Sequence, residues 1–213
     1  STGVVSNYTA GTPIVYEYDC GTANGEDKTL TVTVNLTGYS AGIEINETNF
    51  PDAAFRDYIK TNFDKDSNDT LSAAEIANVK NINVSNKADI ADLKGIENFS
   101  NLKLLYCTST GISSLDVSEN DKLETLYCQS NAALTTLNVN GASALKELHC
   151  YQTGITSLDV SNNTNLTTLN CSSNAALTTL NVNGASALTN LQCTSTGISS
   201  LDVSSNTKLE KLY

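Results

Sequence analysis

The chain has little of several residue types that whole classes of protein need. It contains no Trp and no Met, two Pro and one His, and its 12 Lys and Arg are outnumbered by 23 Asp and Glu. A net charge of -11 argues against nucleic-acid binding, which needs clustered Lys and Arg side chains facing the phosphates. No run of about 20 apolar residues occurs, so membrane insertion is not expected. With a single histidine and no hydrolase, phosphate-loop or zinc motif, the sequence predicts that the protein is not an enzyme.

What the sequence does contain is a repeat. The stretch SNAALTTLNVNGASAL at 130–145 returns at 173–188, and TSTGISSLDVS at 108–118 returns at 194–204, so the offsets are 43 and 86 residues. Five cysteines at intervals of 21 or 22 residues alternate with valines roughly midway between them, giving two short L-x-C or L-x-V segments per interval. Such segments are typical of short strands, and a period of this length predicts one turn of a solenoid that must stack on its neighbours.

The repeat cysteines all take the same inward position: Cys107, Cys128, Cys150, Cys171 and Cys193. Stacked parallel strands would hold their side chains side by side, with backbones about 4.8 Å apart. We interpret them as buried free thiols that replace Leu or Val in the core. A metal or redox role is the alternative, and no C-x-x-C pair supports it.

Asparagine is expected to shape the bends between the strands. Asn120, Asn163 and Asn206 follow LDVS on alternate turns, where their side chains can bond free backbone groups. The intervening turns have Ala142 and Ala185 at the aligned position. We therefore assign these asparagines to turn structure rather than to ligand binding.

Residues 1–42 fall outside the repeat and predict a β-hairpin. Two alternating segments, 13–20 and 29–36, flank a turn-rich loop at 21–28. An isolated hairpin is marginally stable in water. It is therefore expected either to cover the end of the solenoid or to be the remnant of a preceding β domain.

Residues 43–80 predict a helix, a loop and a second helix. Thr48 or Asn49 is expected to cap the first helix, with Pro51 as its first residue. The second helix is expected over 73–80. An apolar stripe marks the buried face of the first helix: Phe55, Tyr58, Ile59 and Phe63.

The loop between these helices, DKDSNDTLSAAE at 64–75, matches most positions of the calcium loop of an EF-hand. The expected oxygen donors are Asp64, Asp66, Asn68, Thr70, Ser72 and Glu75. Asp69 stands where that loop normally has Gly, at a cost of about 1 kcal/mol, which predicts weaker binding. A capping box of Ser72 and Glu75, which needs no metal, is the alternative. Because only one such loop is present, calcium is expected to be structural rather than a signal.

From Asn81 the apolar spacing predicts irregular first turns, which become regular at Leu105 and Cys107. The pattern LxxLxCxxTxIxxLDVSxNxxL resembles the leucine-rich repeat family, in particular its bacterial 21-residue subclass with two nested half-repeats. The segment INETNFPDAAFRDYIKTNFDKDSNDTLSAAEI is similar to the N-terminal cap of such repeats in surface or secreted proteins of gut-dwelling bacteria. The resemblance covers 43–213. It implies a mainly β solenoid with two short parallel strands per turn (101–213) behind a helical cap with irregular first turns (43–100).

The resemblance also implies a binding or adhesion module at the bacterial cell surface or outside the cell. Outward positions are where a ligand could be recognised, and we name one row of them the aromatic stripe: Tyr106, Tyr127, His149 and Tyr151. We expect this stripe to bind a protein or glycan on a host or neighbouring cell. The alternative is that tyrosine simply suits exposed strand positions. The other strand row, in which Asp and Asn alternate, is interpreted as solvated surface rather than a cation-binding track: Asp116, Asn138, Asp159, Asn181 and Asp202.

A structural role is the second functional hypothesis. The near-identical repeats favour a spacer within a larger surface protein, stiffened by calcium and without a ligand of its own. The repeat stops mid-turn at Tyr213, so a longer parent protein is expected. Its open last turn is expected to allow end-to-end or edge contacts.

Overall fold

The structure, a computed structural model, describes residues 14–23, 26–34 and 42–213, and the chain divides into two compact units at Gly42 and Ile43. In the first unit, strands β1 (Ile14–Ala23) and β2 (Glu26–Val34) pair antiparallel, with an irregularity between Asp19 and Thr22. A hairpin is therefore present. Its strands extend into the segment predicted as a long loop, because Thr22 pairs with Asp27 and Ala23 with Glu26.

The second unit begins with a small cap. Its elements are β3 (Ile43–Glu44), α1 (Ala53–Phe63), β4 (Thr70–Leu71) and α2 (Ala73–Asn78), and β3 pairs antiparallel with β4. Helix α2 ends two residues earlier than predicted, because the N–H of Val79 closes the last turn on the carbonyl of Ile76. No helix in the described residues is long and apolar enough to cross a membrane.

The predicted start of α1 is wrong. Asp52 caps the helix, and its carboxylate accepts a hydrogen bond from the N–H of Phe55 at 2.8 Å, while Pro51 precedes the cap. The same carboxylate accepts from the N–H groups of Ala91 and Asp92 at 2.8 and 3.2 Å. Asp52 thus caps the helix and ties it to the first solenoid turns, which neither Thr48 nor Asn49 does.

A cluster of phenylalanines joins the cap to the solenoid. Phe50, Phe55 and Phe99 are fully buried, with the Phe50 ring 6.2 Å from Phe55 and 6.3 Å from Phe99. Phe63, at the end of α1, also packs on Phe99, 5.9 Å between ring centroids. Phe99 belongs to the irregular first turns, so helix and solenoid share one hydrophobic core.

Seven parallel strands form the main sheet. In spatial order they are β5 (Asn81–Asn83), β6 (Leu104–Tyr106), β8 (Thr125–Tyr127), β10 (Glu147–His149), β12 (Thr168–Asn170), β14 (Asn190–Gln192) and β15 (Lys211–Leu212). Each of β6, β8, β10, β12 and β14 has a buried central leucine, and these leucines lie in register. The predicted solenoid is confirmed.

A second row of strands alternates with the main sheet along the chain: β7 (Ser114–Asp116), β9 (Thr136–Asn138), β11 (Ser157–Asp159) and β13 (Thr179–Asn181). This row pairs only two by two, β7 with β9 and β11 with β13. The paired leucines, such as Leu115 and Leu137, are 22 residues apart, whereas Leu137 and Leu158 across the break are 21 apart. The last predicted segment of this row, 201–203, is not a strand.

The repeat cysteines lie inside the stack. Four of them have no exposed surface and Cys193 is partly buried, and all five are free. Burial raises the pKa of the Cys107 and Cys171 thiols to about 12. These side chains are therefore protonated at neutral pH and act as small apolar residues, as predicted.

Two sets of asparagines serve the bends in different ways. Asn131 accepts hydrogen bonds at Oδ1 from the N–H and hydroxyl of Thr110. Its Nδ2 donates to the carbonyls of Cys107 and Cys128. Asn174, 43 residues later, forms the equivalent bonds with Thr153 and with two cysteine carbonyls. In the set that follows LDVS, each Nδ2 donates to two carbonyls one turn earlier, but the buried Oδ1 has no partner in the described residues: Asn120, Asn163 and Asn206. The threonine partners were not predicted.

This difference predicts unequal costs of removing the two kinds of asparagine. Asn131→Ala leaves two carbonyls and an N–H without their partner, so it should lower the free energy of unfolding by about 2 to 4 kcal/mol. Asn163→Ala removes a buried oxygen that has no partner, and it introduces the residue that the aligned position of another turn already has, Ala142. A loss of only about 1 kcal/mol in the free energy of unfolding is therefore expected. Urea denaturation of both variants measures the difference. Equal losses would contradict the assignment.

Candidate functional site

The aromatic stripe lies on the outer face of the main sheet. Alternation along each strand turns the central leucine inward and the last residue outward, and the parallel register aligns Tyr106, Tyr127 and His149 on β6, β8 and β10. Tyr151 follows His149 by two residues and so faces the same side. The structure therefore brings together all four residues of the predicted stripe.

The rings of the stripe pack directly on one another. Tyr106 meets Tyr127 edge to face at 5.2 Å between centroids, and Tyr127 stacks on His149 at 4.6 Å with an interplanar angle of 17°. His149 and Tyr151 are 6.3 Å apart. All four side chains are partly buried, so they form a continuous row rather than four independent surface residues.

Glu147 belongs to the same cluster and was not predicted. Its Oε1 accepts a hydrogen bond from the Tyr127 hydroxyl at 2.9 Å and lies 3.2 Å from Nε2 of His149. Burial, followed by the hydrogen bond to Glu147 and the carboxylate charge, raises the pKa of Tyr127 to about 12. A signal was available, because Glu147 lies two residues before His149 on one strand and therefore on the same face.

Gln129 is a second unpredicted neighbour. It follows Tyr127 by two residues, and the N–H of the next residue, Ser130, donates to the carbonyl of Tyr151 at 2.9 Å. The residue is only 9% exposed, yet its side-chain oxygen has no hydrogen-bond partner in the described part of the chain. The stripe is thus bordered by a polar group whose bonding capacity is unused.

The cap holds the predicted calcium loop. Carboxylate oxygens of Asp64, Asp66 and Glu75 lie within 4.8 Å of one another, and Asp64 is only 6% exposed. Asp69, at the position normally held by Gly, has φ of 61°, the left-handed backbone that this position requires. Its side chain forms an ion pair with Lys60. The residues that converge are hard oxygen donors of the kind that calcium prefers.

The remaining predicted donors take part in hydrogen bonds within the loop. Asn68 donates from Nδ2 to Asp66 and accepts at Oδ1 from the N–H of Thr70, at 2.9 and 2.8 Å. Thr70 lies in β4, paired with Glu44. Ser72 and Glu75 form the capping box at the start of α2. The loop therefore contains both features that the sequence predicted, the acidic cluster and the cap.

The carboxylate of Glu75 is stabilised in its charged form. Burial tends to raise its pKa, but hydrogen bonds from the backbone of Lys65 and from the N–H and hydroxyl of Ser72 outweigh it, so the pKa is lowered. Asp64 accepts from the N–H groups of Asn68 and Asp69 at 3.2 and 3.0 Å. The backbone thus holds two carboxylates of the cluster in place.

The acidic positions of the second row are used in turns. Asp116, Asp159 and Asp202 each accept a hydrogen bond at 2.9 Å from the N–H two residues further on. Asp116 also accepts from the side chain of Asn138 at 3.1 Å. Asn138 and Asn181 accept the equivalent bond at 3.2 Å on the intervening turns, so both residue types of this row close turns.

No family model matches the chain, and no curated protein matches it. Among solved structures it is similar to the functional domain of InlJ from Listeria monocytogenes, described as including a cysteine ladder, with 29% identity and a TM-score of 0.45 over 82% of this chain and 48% of that one. It is also similar to the internalin InlF from the same organism, with 21% identity and a TM-score of 0.53 over 80% and 58% of the two chains. A leucine-rich-repeat protein from Leptospira interrogans matches at 18% identity and a TM-score of 0.48, over 65% and 44%.

These neighbours are bacterial leucine-rich-repeat proteins, and the likeness to InlF shows that the chain has their parallel-strand solenoid fold. The chain spans about half the length of the first two structures that it matches. Fold alone does not define a ligand, because unrelated functions share one architecture.

The contact between Tyr127 and Glu147 makes a testable prediction. Glu147→Gln removes the negative charge beside the hydroxyl, so the pKa of Tyr127 should fall from about 12 toward its ordinary value of 10.0, while remaining above it because the ring is still partly buried. The measurement is a pH titration by NMR of protein labelled with 13C-tyrosine. Glu124→Gln is the control, because Glu124 contacts Lys103 and Lys146 instead. An unchanged Tyr127 titration in Glu147→Gln would contradict the contact.

Proposed function

We propose that the chain is a non-enzymatic recognition module of a bacterial surface or secreted protein, and that its aromatic stripe contacts a protein or glycan on a host or neighbouring cell. The observation that carries the proposal is the packing of four rings into one row beside Glu147 and Gln129. Rings already held against one another lose little freedom when a partner binds. Solenoids present extended surfaces suited to such contacts.

The stripe is a local feature of the sheet, which argues against tyrosine being there only for strand propensity. On β12 and β14 the aligned outward positions are Asn170 and Gln192, while Tyr106, Tyr127 and His149 occupy three consecutive strands. A repeat that needed tyrosine for strand formation would keep it at each turn. The aromatic residues instead occupy three consecutive strands, and the aligned position is aromatic again only at Tyr213, after β15.

Ring geometry favours a protein over a glycan as the partner. Tyr127 and His149 cover one face of each other, and Tyr106 directs itself edge to face against Tyr127. One face of Tyr127 and one face of His149 are therefore closed to a sugar, and the carboxylate of Glu147 adds a polar group beside the rings. Mixed aromatic and polar contacts of this kind are common in protein interfaces.

Replacing the tyrosines tests this proposal. The variant Tyr106→Ser, Tyr127→Ser, Tyr151→Ser should lose capture of its partner, because the anchoring surface is gone, while the circular dichroism spectrum stays unchanged. Capture is measured against host extracellular proteins and a glycan array. The matched control replaces outward residues of the second row, Asn138→Ser, Thr179→Ser and Asn181→Ser, and should retain capture. Unaltered capture by the tyrosine variant would disprove the placement.

A calcium-stiffened spacer is the second candidate function, supported by the cap. Asp64, Asp66 and Glu75 converge within 4.8 Å, and Asp69 adopts the backbone that an EF-hand loop needs at that position. Bound calcium would neutralise the mutual repulsion of these carboxylates and hold the loop against α1 and α2. The stretch at 130–145 returns almost unchanged at 173–188, and such near-identical repeats suit a spacer.

Calorimetric titration of chelator-stripped protein tests the metal. Calcium should release or absorb heat and raise the melting temperature, because a ligand bound only by the folded state stabilises it. The double variant Asp64→Ala, Glu75→Ala should show neither effect. Asp116→Ala is the matched control, since its carboxylate lies in the second row, and should behave as the parent. If calcium produces no heat with the parent protein, the loop is a connector and not a calcium site.

A further inference from the structure

A groove of about 440 Å³ lies between β7 and residues 92–97 of the preceding turn. Its apolar lining is Leu93, Ile96 and Leu115, each no more than 3% exposed. Leu93 precedes Leu115 by 22 residues, the spacing at which other strands of the second row pair. Residues 92–97 nevertheless form a turn and the start of a 3-10 helix, so no strand of the preceding turn pairs with β7.

Strand β7 presents an unpaired edge to this groove. On its other side the carbonyl of Ser113 accepts from Thr135 and the N–H of Val117 donates to Asn138, both at 3.0 Å. Because alternate residues of a strand direct their backbone groups to opposite sides, those of Ser114 and Asp116 point toward the groove. Within residues 42–213, no hydrogen bond joins either residue to the stretch 92–97. An unpaired edge of this kind is a template for another strand.

The groove is acidic. Four carboxylates line it against the single ammonium of Lys94: Asp92, Glu97, Asp116 and Glu119. Three of them already accept backbone hydrogen bonds, from Lys94, Gly95 and Ser118. Glu119 is exposed and, in the described part of the chain, forms neither a hydrogen bond nor an ion pair with another side chain. The groove therefore has one uncommitted carboxylate at the end of an unpaired strand.

We propose that this groove binds an extended segment of a partner protein by strand addition to β7, with a Lys or Arg of that segment reaching Glu119. Backbone hydrogen bonds to Ser114 and Asp116 supply affinity, and the carboxylates select for a base. The methylene stem of the basic side chain packs over the apolar lining. The surface is separate from the aromatic stripe, and the inference does not rest on the function proposed for that stripe.

The chain supplies its own matched variant. Strand β11 also lacks a paired strand on the side of the preceding turn, because it does not pair with β9. The residues equivalent to Asp116 and Glu119, 43 positions later, are Asp159 and Asn162. Glu119→Asn therefore introduces the residue that the equivalent turn already carries. Such a change is compatible with the fold and removes only the proposed contact.

The test is NMR titration of the 15N-labelled chain with the blocked peptide Thr-Val-Arg-Val-Thr. The amide signals of Ser114 and Asp116 should shift, and affinity should fall about two- to fivefold in Glu119→Asn, the loss expected for one exposed ion pair. Glu210→Asn, an equal charge change at the far end of the solenoid, should leave affinity unchanged. A peptide with N-methylated valines, which cannot complete the strand, should bind more weakly.

Three outcomes would overturn the proposal. One is the absence of shifts at Ser114 and Asp116 at millimolar peptide. Another is equal binding by a peptide with Glu in place of Arg, which would show that the groove does not select a base. The third is shifts confined to Tyr106, Tyr127 and His149, which would place the peptide on the stripe and leave β7 unused.

Discussion

Burial of one inward leucine per strand between stacked turns is the interaction on which the whole second unit depends. Strands of three residues have no independent stability, and each acquires its hydrogen bonds and its apolar neighbours only from the turns on either side. Leu126, Leu148 and Leu169 lie in register and fully buried. The cysteines, each two residues after such a leucine, fill the remaining space in the core. Burial keeps their thiols protonated, so they act as core residues rather than as reactive thiols.

Stacking also buries backbone polar groups at the bends, and these groups need hydrogen-bond partners. Asn131 and Asn174 bond groups of two successive turns, and Asp116 and its equivalents close the turns of the second row. At the N-terminal end the phenylalanine cluster covers the first turns, and Asp52 joins helix α1 to them. With the inward positions committed to packing, the outward rows are where recognition can vary without loss of stability.

Those outward rows differ from each other, and the proposed functions follow the difference. The main sheet is continuous and presents packed rings with Glu147, whereas the second row is broken and exposes the edge of β7 beside an acidic groove. The first surface suits aromatic and polar contacts, and the second suits an extended basic segment. The acidic loop at 64–75 lies in the cap, and the calcium that we propose for it would stiffen the fold rather than recognise a partner.

Local periodicity predicted much of this architecture, because inward and outward alternation and a 21- or 22-residue period depend only on residues close in the chain. It therefore located most of the strands, the core cysteines and the four rings of the stripe, whereas the acidic loop was predicted from its match to an EF-hand loop. It did not show contacts between distant residues: Asp52 caps α1 locally through the N–H of Phe55, but it also accepts from the N–H groups of Ala91 and Asp92, 39 and 40 residues later. Hairpin strand ends were also misplaced, since pairing across the turn extends them.

The sequence by itself determined which residues are inward and which are outward, because that follows from a period of two within each strand. Only the tertiary structure decided what the outward residues meet. Glu147 accepts from Tyr127, Asn131 pairs with Thr110, and β7 lacks a neighbour on one side, each through contacts between different turns. Distances between turns depend on how the whole stack closes, and no local pattern encodes them.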